Sequence, residues 1–168
     1  MQLSINLRKL AGRYLFKILI LLCIVHCALY QFCIMNHAFC VDLPVTSSFG
    51  WRVHPISGQW KFHAGVDLGY EYGTQVLALF DGVVLEAGDY GDGYGNQVLI
   101  YHSQINSYTR YGHMSAVYVQ INEQVSRGSV IGRVGSTGYS TGPHLHLEYI
   151  VPSGDGKYIY TDPLQLWR

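Results

Sequence analysis

The sequence predicts an all-β domain, an antiparallel sandwich or partly open barrel. Three observations carry this. Short apolar runs alternate with Gly, Asp, Asn and Ser clusters after Val41, the clusters have turn chemistry, and no window of a dozen residues holds a helical period. The expected strands are Gln75–Leu79, Gly82–Glu86, Gln97–Tyr101, Val117–Ile121, Ser129–Val134 and Leu145–Ile150. Asp81-Gly82, Gly88-Asp89, Gly91-Asp92-Gly93, Gly95-Asn96, Arg127-Gly128 and Gly135-Ser136 separate them, supplying positive φ or side-chain-to-backbone turns. Val76 to Gly82 also echoes Val125 to Gly132, a hairpin-like internal similarity.

A different texture precedes this domain. Residues 1–40 carry Arg8, Lys9, Arg13 and Lys17 and no acid, and the apolar run Ile18–Val25 follows. A basic start and a short apolar core make a secretory signal. Apolar character continues to Met35, and Leu15 to Met35 is long enough to span a bilayer at about 1.5 Å per residue. Residues 1–40 are therefore expected to be a signal peptide or a membrane anchor. Ala38 and Cys40 form a weak cleavage site. Either reading exports residues 41–168 to the periplasm, envelope or medium, free or held at the membrane by residues 15–35. All four cysteines (Cys23, Cys27, Cys33, Cys40) lie in this first segment, so the β domain has no disulfide and no thiolate ligand.

Charge narrows the partners. Residues 41–168 hold seven basic against eleven acidic side chains, about −4 with His neutral. Such a domain is a poor polyanion binder, and no nucleic acid is expected. The sequence sets no oligomeric state.

The candidate chemistry is histidine-based. His144 and His146 share a strand face, because residues two apart point the same way. His63 and Asp67 are separated by Ala64-Gly65-Val66, and Gly65 is expected to permit a bend that brings them together. Two imidazoles and a carboxylate suit zinc and leave one position open for water, whose lowered pKa makes it a nucleophile near neutrality. A lone His-x-His is more often structural than ligating. What raises the odds is a third element, Tyr111-Gly112-His113-Met114-Ser115, after an expected strand.

Together these motifs resemble the lysostaphin-type zinc endopeptidases of peptidoglycan. The resemblance runs from about Phe49 to Leu166. Phe49-Gly50-Trp51-Arg52-Val53-His54-Pro55, Phe62-His63-Ala64-Gly65-Val66-Asp67, Gly112-His113-Met114-Ser115, Gly135-Ser136-Thr137-Gly138 and Gly142-Pro143-His144-Leu145-His146 carry it, with Asp162-Pro163-Leu164 as the tail. It implies an all-β fold with one Zn2+ in a groove, held by His63, Asp67 and His146. It also implies that His113 and His144 flank the metal, one taking a proton from the attacking water and the other stabilising the tetrahedral oxyanion, in either assignment. The implied substrate is a cross-bridge or stem peptide of peptidoglycan.

Other residues have blander readings. Glu148 continues the His144 and His146 face; a partner for a ligand histidine or a surface charge suits it better than catalysis. His54 and His102 read as structural or surface residues. Tyrosines such as Tyr94 and Tyr139 either line a groove or fill strands, and Gly91–Gly95 is a hairpin turn or a gate. Three rival functions remain. A silent scaffold activating a cell-wall amidase is disfavoured because none of the five site positions is substituted. A biotinyl- or lipoyl-type carrier needs a hairpin lysine, and neither Lys61 nor Lys157 sits in one. A zinc peptidase acting on ordinary proteins is distinguished only by its groove.

Overall fold

A computed structural model describes residues 43–54 and 56–167, so the expected export segment lies outside the described residues. Twelve strands follow in order: β1 (Val45–Ser47), β2 (Gly50–Val53), β3 (Trp60–His63), β4 (Val66–Leu68), β5 (Gln75–Leu77), β6 (Gly82–Asp89), β7 (Asn96–His102), β8 (Ser107–Val117), β9 (Gln124–Val125), β10 (Val130–Val134), β11 (Leu145–Pro152) and β12 (Tyr158–Thr161). A 3-10 segment, Pro163–Trp167, is the one helical element among the described residues. The main sheet runs β1-β4-β11-β8-β7-β6-β9 through antiparallel pairs; β10 joins β8 to β5, and β12 extends β11. β2 and β3 form a separate two-stranded ribbon. The all-β expectation holds.

Alternation explains the core. Val98 and Ile100 of β7, Tyr111 and Met114 of β8, and Leu145 and Leu147 of β11 are almost fully buried, with Val66, Val84 and Ile131 packed in the same cluster. A hydrogen-bonded chain crosses it. It runs from the Leu79 N–H to the Tyr111 hydroxyl (3.0 Å), on to Thr109 Oγ1 (3.1 Å) and His102 Nε2 (2.8 Å), and ends where His102 Nδ1 donates to the Asp81 carbonyl (2.9 Å). Each polar atom finds a partner there, which makes burial of His102 tolerable. His102 is thus structural.

The echo between Val76–Gly82 and Val125–Gly132 has a simple basis: the two stretches pair with each other. Val130 and Gly132 oppose Leu77 and Val76, Ala78 exchanges backbone bonds with Ser129 and Gly128, and Val125 opposes Gly82.

One expectation changes and another gains a second reason. The strand expected at Val117–Ile121 is the last residue of β8 and the turn after it, with Tyr118 and Ile121 exposed and Asn122 at φ 71°. The long strand is Ser107–Val117, whose Gly112 and mixed polar pattern hide it locally; pairing with β7, β10 and β11 makes it a strand. Gly65 has a second purpose. A Cβ there would lie 2.3 Å from the Leu147 carbonyl oxygen and 2.9 Å from its carbon, both β11 backbone. The chain does bend at Gly65, between β3 and β4, and the missing side chain also allows close approach of the His63–Asp67 segment to β11. Gly65→Ala is expected to destabilise the domain by about 1–3 kcal/mol, measured by urea unfolding; an unchanged midpoint would contradict this packing.

Candidate metal centre

Register places the site. His146 of β11 lies between Asp67 of β4 on one side and Gly112 of β8 on the other as direct cross-strand neighbours. His63 ends β3 and reaches the same spot through Ala64-Gly65. His144 precedes β11, bridged to Gly135, and shares the face of His146 two residues on. His113 sits at an irregularity of β8. Asn96 opposes Met114 and Val98 opposes Tyr111, so Gly112 and His113 together face Gln97. Such a bulge re-aims a side chain, and His113 adopts φ 60°, a conformation that a non-glycine residue holds at a cost of about 1–3 kcal/mol and that clusters at functional sites. Its N–H is anchored on the Tyr94 carbonyl at 2.7 Å.

Three ligand-type atoms converge: His63 Nε2, Asp67 Oδ1 and His146 Nδ1. Their separations are 3.1 Å between the imidazole nitrogens, 3.2 Å from His63 to Asp67 and 2.9 Å from His146 to Asp67. Donors bonded at about 2.0–2.1 Å to one tetrahedral ion stand about 3.3 Å apart, so the triangle fits such an ion.

The opposite ring nitrogens decide which atoms face the groove. His63 Nδ1 donates to the Ser48 carbonyl at 2.9 Å, freeing Nε2. His146 Nε2 donates to Glu148 Oε1 at 3.2 Å, freeing Nδ1. His113 Nδ1 donates to the Thr137 carbonyl and His144 Nδ1 to the Gly142 carbonyl, each at 2.8 Å, so both present Nε2. The His113 and His144 rings stand 4.7 Å apart, and His144 Nε2 is 3.7 Å from Asp67 Oδ1. All five expected site residues are thus in one place, in a groove of about 300 Å³.

Glu148 is no surface charge: it is fully buried. Its Oε1 accepts hydrogen bonds from His146 Nε2 and, at 2.6 Å, from the Tyr94 hydroxyl, while Arg110 Nε stands 3.3 Å from Oε2. Arg110 also bonds Glu86 at 2.7 Å and pairs with Gln97, and its guanidinium lies 4.9 Å from the centre of the Tyr94 ring. Sequence reasoning did not single out Arg110, and it named Thr137 only within the Gly135–Gly138 motif, without a role. Tyr94 carried one signal, an aromatic residue set inside a glycine turn. That turn, Gly91–Gly95, joins β6 to β7 and delivers Asp92, Gly93 and Tyr94 to the groove wall. Tyr139 lines the same wall, and His54 lies at its edge, its Nδ1 accepting from the Ile56 and Ser57 N–H groups.

Comparison with known proteins bears on this geometry. The sequence model for Peptidase family M23 matches residues 61–160. The chain belongs to that family. It is 49% identical over 104 residues to DD-carboxypeptidase/endopeptidase Mpg of Neisseria meningitidis, a match covering 62% of this chain and 24% of Mpg. The catalytic domain of the antimicrobial peptidase lysostaphin from Staphylococcus simulans superposes with a TM-score of 0.66 at 33% identity, over 75% of this chain and 92% of that domain. A zinc-containing peptidase from Vibrio cholerae matches with a TM-score of 0.59 at 33% identity, over 69% of this chain and 35% of that one. The chain thus spans about a quarter of the length of the curated relatives it matches.

The electrostatics of the M23 site predict an unusual pH profile for the chelator-treated protein. Burial, helped by His146 and His144, holds His113 down at about 4 from its ordinary 6.5, and burial likewise lowers His102. Protonating either ring favours the unfolded chain, so stability falls as pH drops from 6.5 towards 4. Burial also opposes charge on His146, but its bonds to Asp67 and Glu148 outweigh this and raise it to about 9. That contribution is full below 6.5 and is lost as pH rises through 9. Unfolding free energy in chelator is therefore expected to peak near pH 6.5. A steady rise from weakly acid to alkaline pH in urea titrations would contradict these assignments.

Proposed function

We propose that this chain is an exported zinc endopeptidase that hydrolyses peptide bonds of bacterial peptidoglycan. The observation that carries the reading is the set of four groove histidines, each with one nitrogen fixed on an anchored oxygen and the other turned to the groove. Membership of a peptidase family, and relatives named as a DD-endopeptidase and as lysostaphin, support the reaction class. The export half of the reading rests on the basic and apolar pattern of residues 1–40.

His63, Asp67 and His146 would hold the zinc. When bound, zinc supplies Lewis-acid chemistry, polarising a scissile carbonyl and acidifying water near pH 7. The protein supplies the rest. His113 is the proton acceptor: burial keeps its ring neutral, its Nδ1–H is held by Thr137, and only the Nε2 lone pair faces the groove. His144 is the oxyanion partner. Its Nδ1 proton is held by Gly142, so it donates from Nε2 when the ring carries both protons. Tyr94 and Tyr139 wall the groove along which a peptide strand lies. A scaffold that only activates an amidase has no use for this full set.

The deciding experiment digests purified cross-linked peptidoglycan with the full-length chain and follows new amino groups. Release that a zinc chelator stops, with casein left uncut, is the expected result. No release with zinc confirmed bound would overturn the reading. Asp67→Ala is expected to lose stoichiometric zinc. His113→Ala is expected to keep zinc and lose about 10²–10⁴-fold in turnover, and near-wild-type turnover would remove His113 from the reaction.

A further inference from the structure

The ribbon of β2 and β3 carries a charge arrangement that folding alone does not favour. Arg52 and Lys61 are direct cross-strand partners. Side chains in such a register lie on one face, and like charges placed opposite each other are destabilising. The neighbouring Trp51 and Trp60 turn to the other face, where they are mostly exposed. Both cations instead line the groove.

Neither cation has an acid to itself. Lys61 makes no ion pair among the described residues, and Arg52 meets only Asp67, at 3.5 Å from Nη2 to Oδ2. Asp67 already points its other oxygen into the ligand triangle. Arg52 Nε is buried with no hydrogen-bond partner. The remaining groove acids are committed elsewhere: Glu148 to His146, Tyr94 and Arg110, and Asp92 to Gln97 and the Tyr94 N–H. In a domain of net negative charge, the groove thus has a cationic rim above an occupied acidic floor.

We infer that Arg52 and Lys61 form an anion receptor that binds a free carboxylate on a residue flanking the scissile bond. This rests on the peptidase reading and sharpens it. A planar guanidinium pairs with a carboxylate through two parallel N–H bonds, and the lysine adds a point charge. Arg52 stands one carboxylate away from the ligand triangle, so an anion it holds belongs to a residue next to the bond being cut. Stem peptides cross-linked through a diamino acid carry such a carboxylate; a glycine bridge has none. The site is therefore built for an acidic stem-peptide cross-link.

The test uses two synthetic cross-linked peptide dimers, a D-alanyl-diamino acid substrate with the carboxylate beside the scissile bond free or converted to its carboxamide. For the full-length, zinc-loaded chain, kcat/KM is expected to favour the free acid by about 10-fold or more, the range of a charge-assisted hydrogen bond. Arg52→Gln is expected to reduce that preference to about 3-fold or less with zinc content unchanged, Arg52→Lys to keep part of it, and Lys61→Gln to weaken it. Equal cleavage of both dimers by the wild type overturns the receptor while leaving the peptidase intact. An equal loss on both substrates in Arg52→Gln also overturns it, since that marks a positioning role through Asp67. Failure of the wild type to cut either dimer or cross-linked wall overturns the peptidase reading itself.

Discussion

The hydrogen bond from His146 Nε2 to the buried Glu148 is the interaction on which the rest of the site depends. An imidazole has two nitrogens, and whichever carries the proton cannot ligate. Glu148 settles the matter for His146, turning the lone pair of Nδ1 towards His63 and Asp67. A carboxylate buried this deeply is tolerable only when its charge is met, and Arg110 and Tyr94 meet it. Arg110 in turn leans on the partly exposed Glu86 of β6. The candidate metal centre is therefore the inner end of a polar chain that begins near the surface.

Backbone carbonyls do the same work for the other rings. Ser48, Thr137 and Gly142 lie outside the long strands, and each fixes one imidazole. The sheet contributes placement. Asp67, His146 and Gly112 lie in one row across three strands, a row that tolerates no register slip, because a one-residue shift reverses every side chain. Glycine makes the row possible where chains nearly touch, as at Gly135, whose Cβ would fall 2.3 Å from the Ser115 nitrogen. The bulge at Gly112–His113 then aims His113 into the same space.

Much of this was legible in the sequence. The alternation of β7 and β11 is written in Gln97–Tyr101 and Leu145–Ile150, and His144, His146, His63 and Asp67 stand in a recognisable order. β8 was hard to read because its pattern combines a central glycine with bonded polar residues, the buried Thr109 to His102 and the partly buried Arg110 to Glu86. Arg110 was invisible, and Thr137 was visible only as part of a motif and not by role, because their roles arise from long-range pairing, 38 and 24 residues from their partners Glu148 and His113 in the chain. The bend at Gly65 was legible, but its second role was not, since only the neighbouring strand reveals the contact it relieves.

Zinc K-edge X-ray absorption on the loaded full-length chain addresses the central claim most directly. The expected first shell is two imidazole nitrogens and one carboxylate oxygen at about 2.0–2.2 Å, completed by a light exogenous donor. Three or four imidazoles would move one or both of His113 and His144 from proton transfer into ligation. A sulfur scatterer at about 2.3 Å would place the metal on a cysteine of residues 1–40. Either spectrum would contradict the assignment of His63, Asp67 and His146 as the complete protein ligand set.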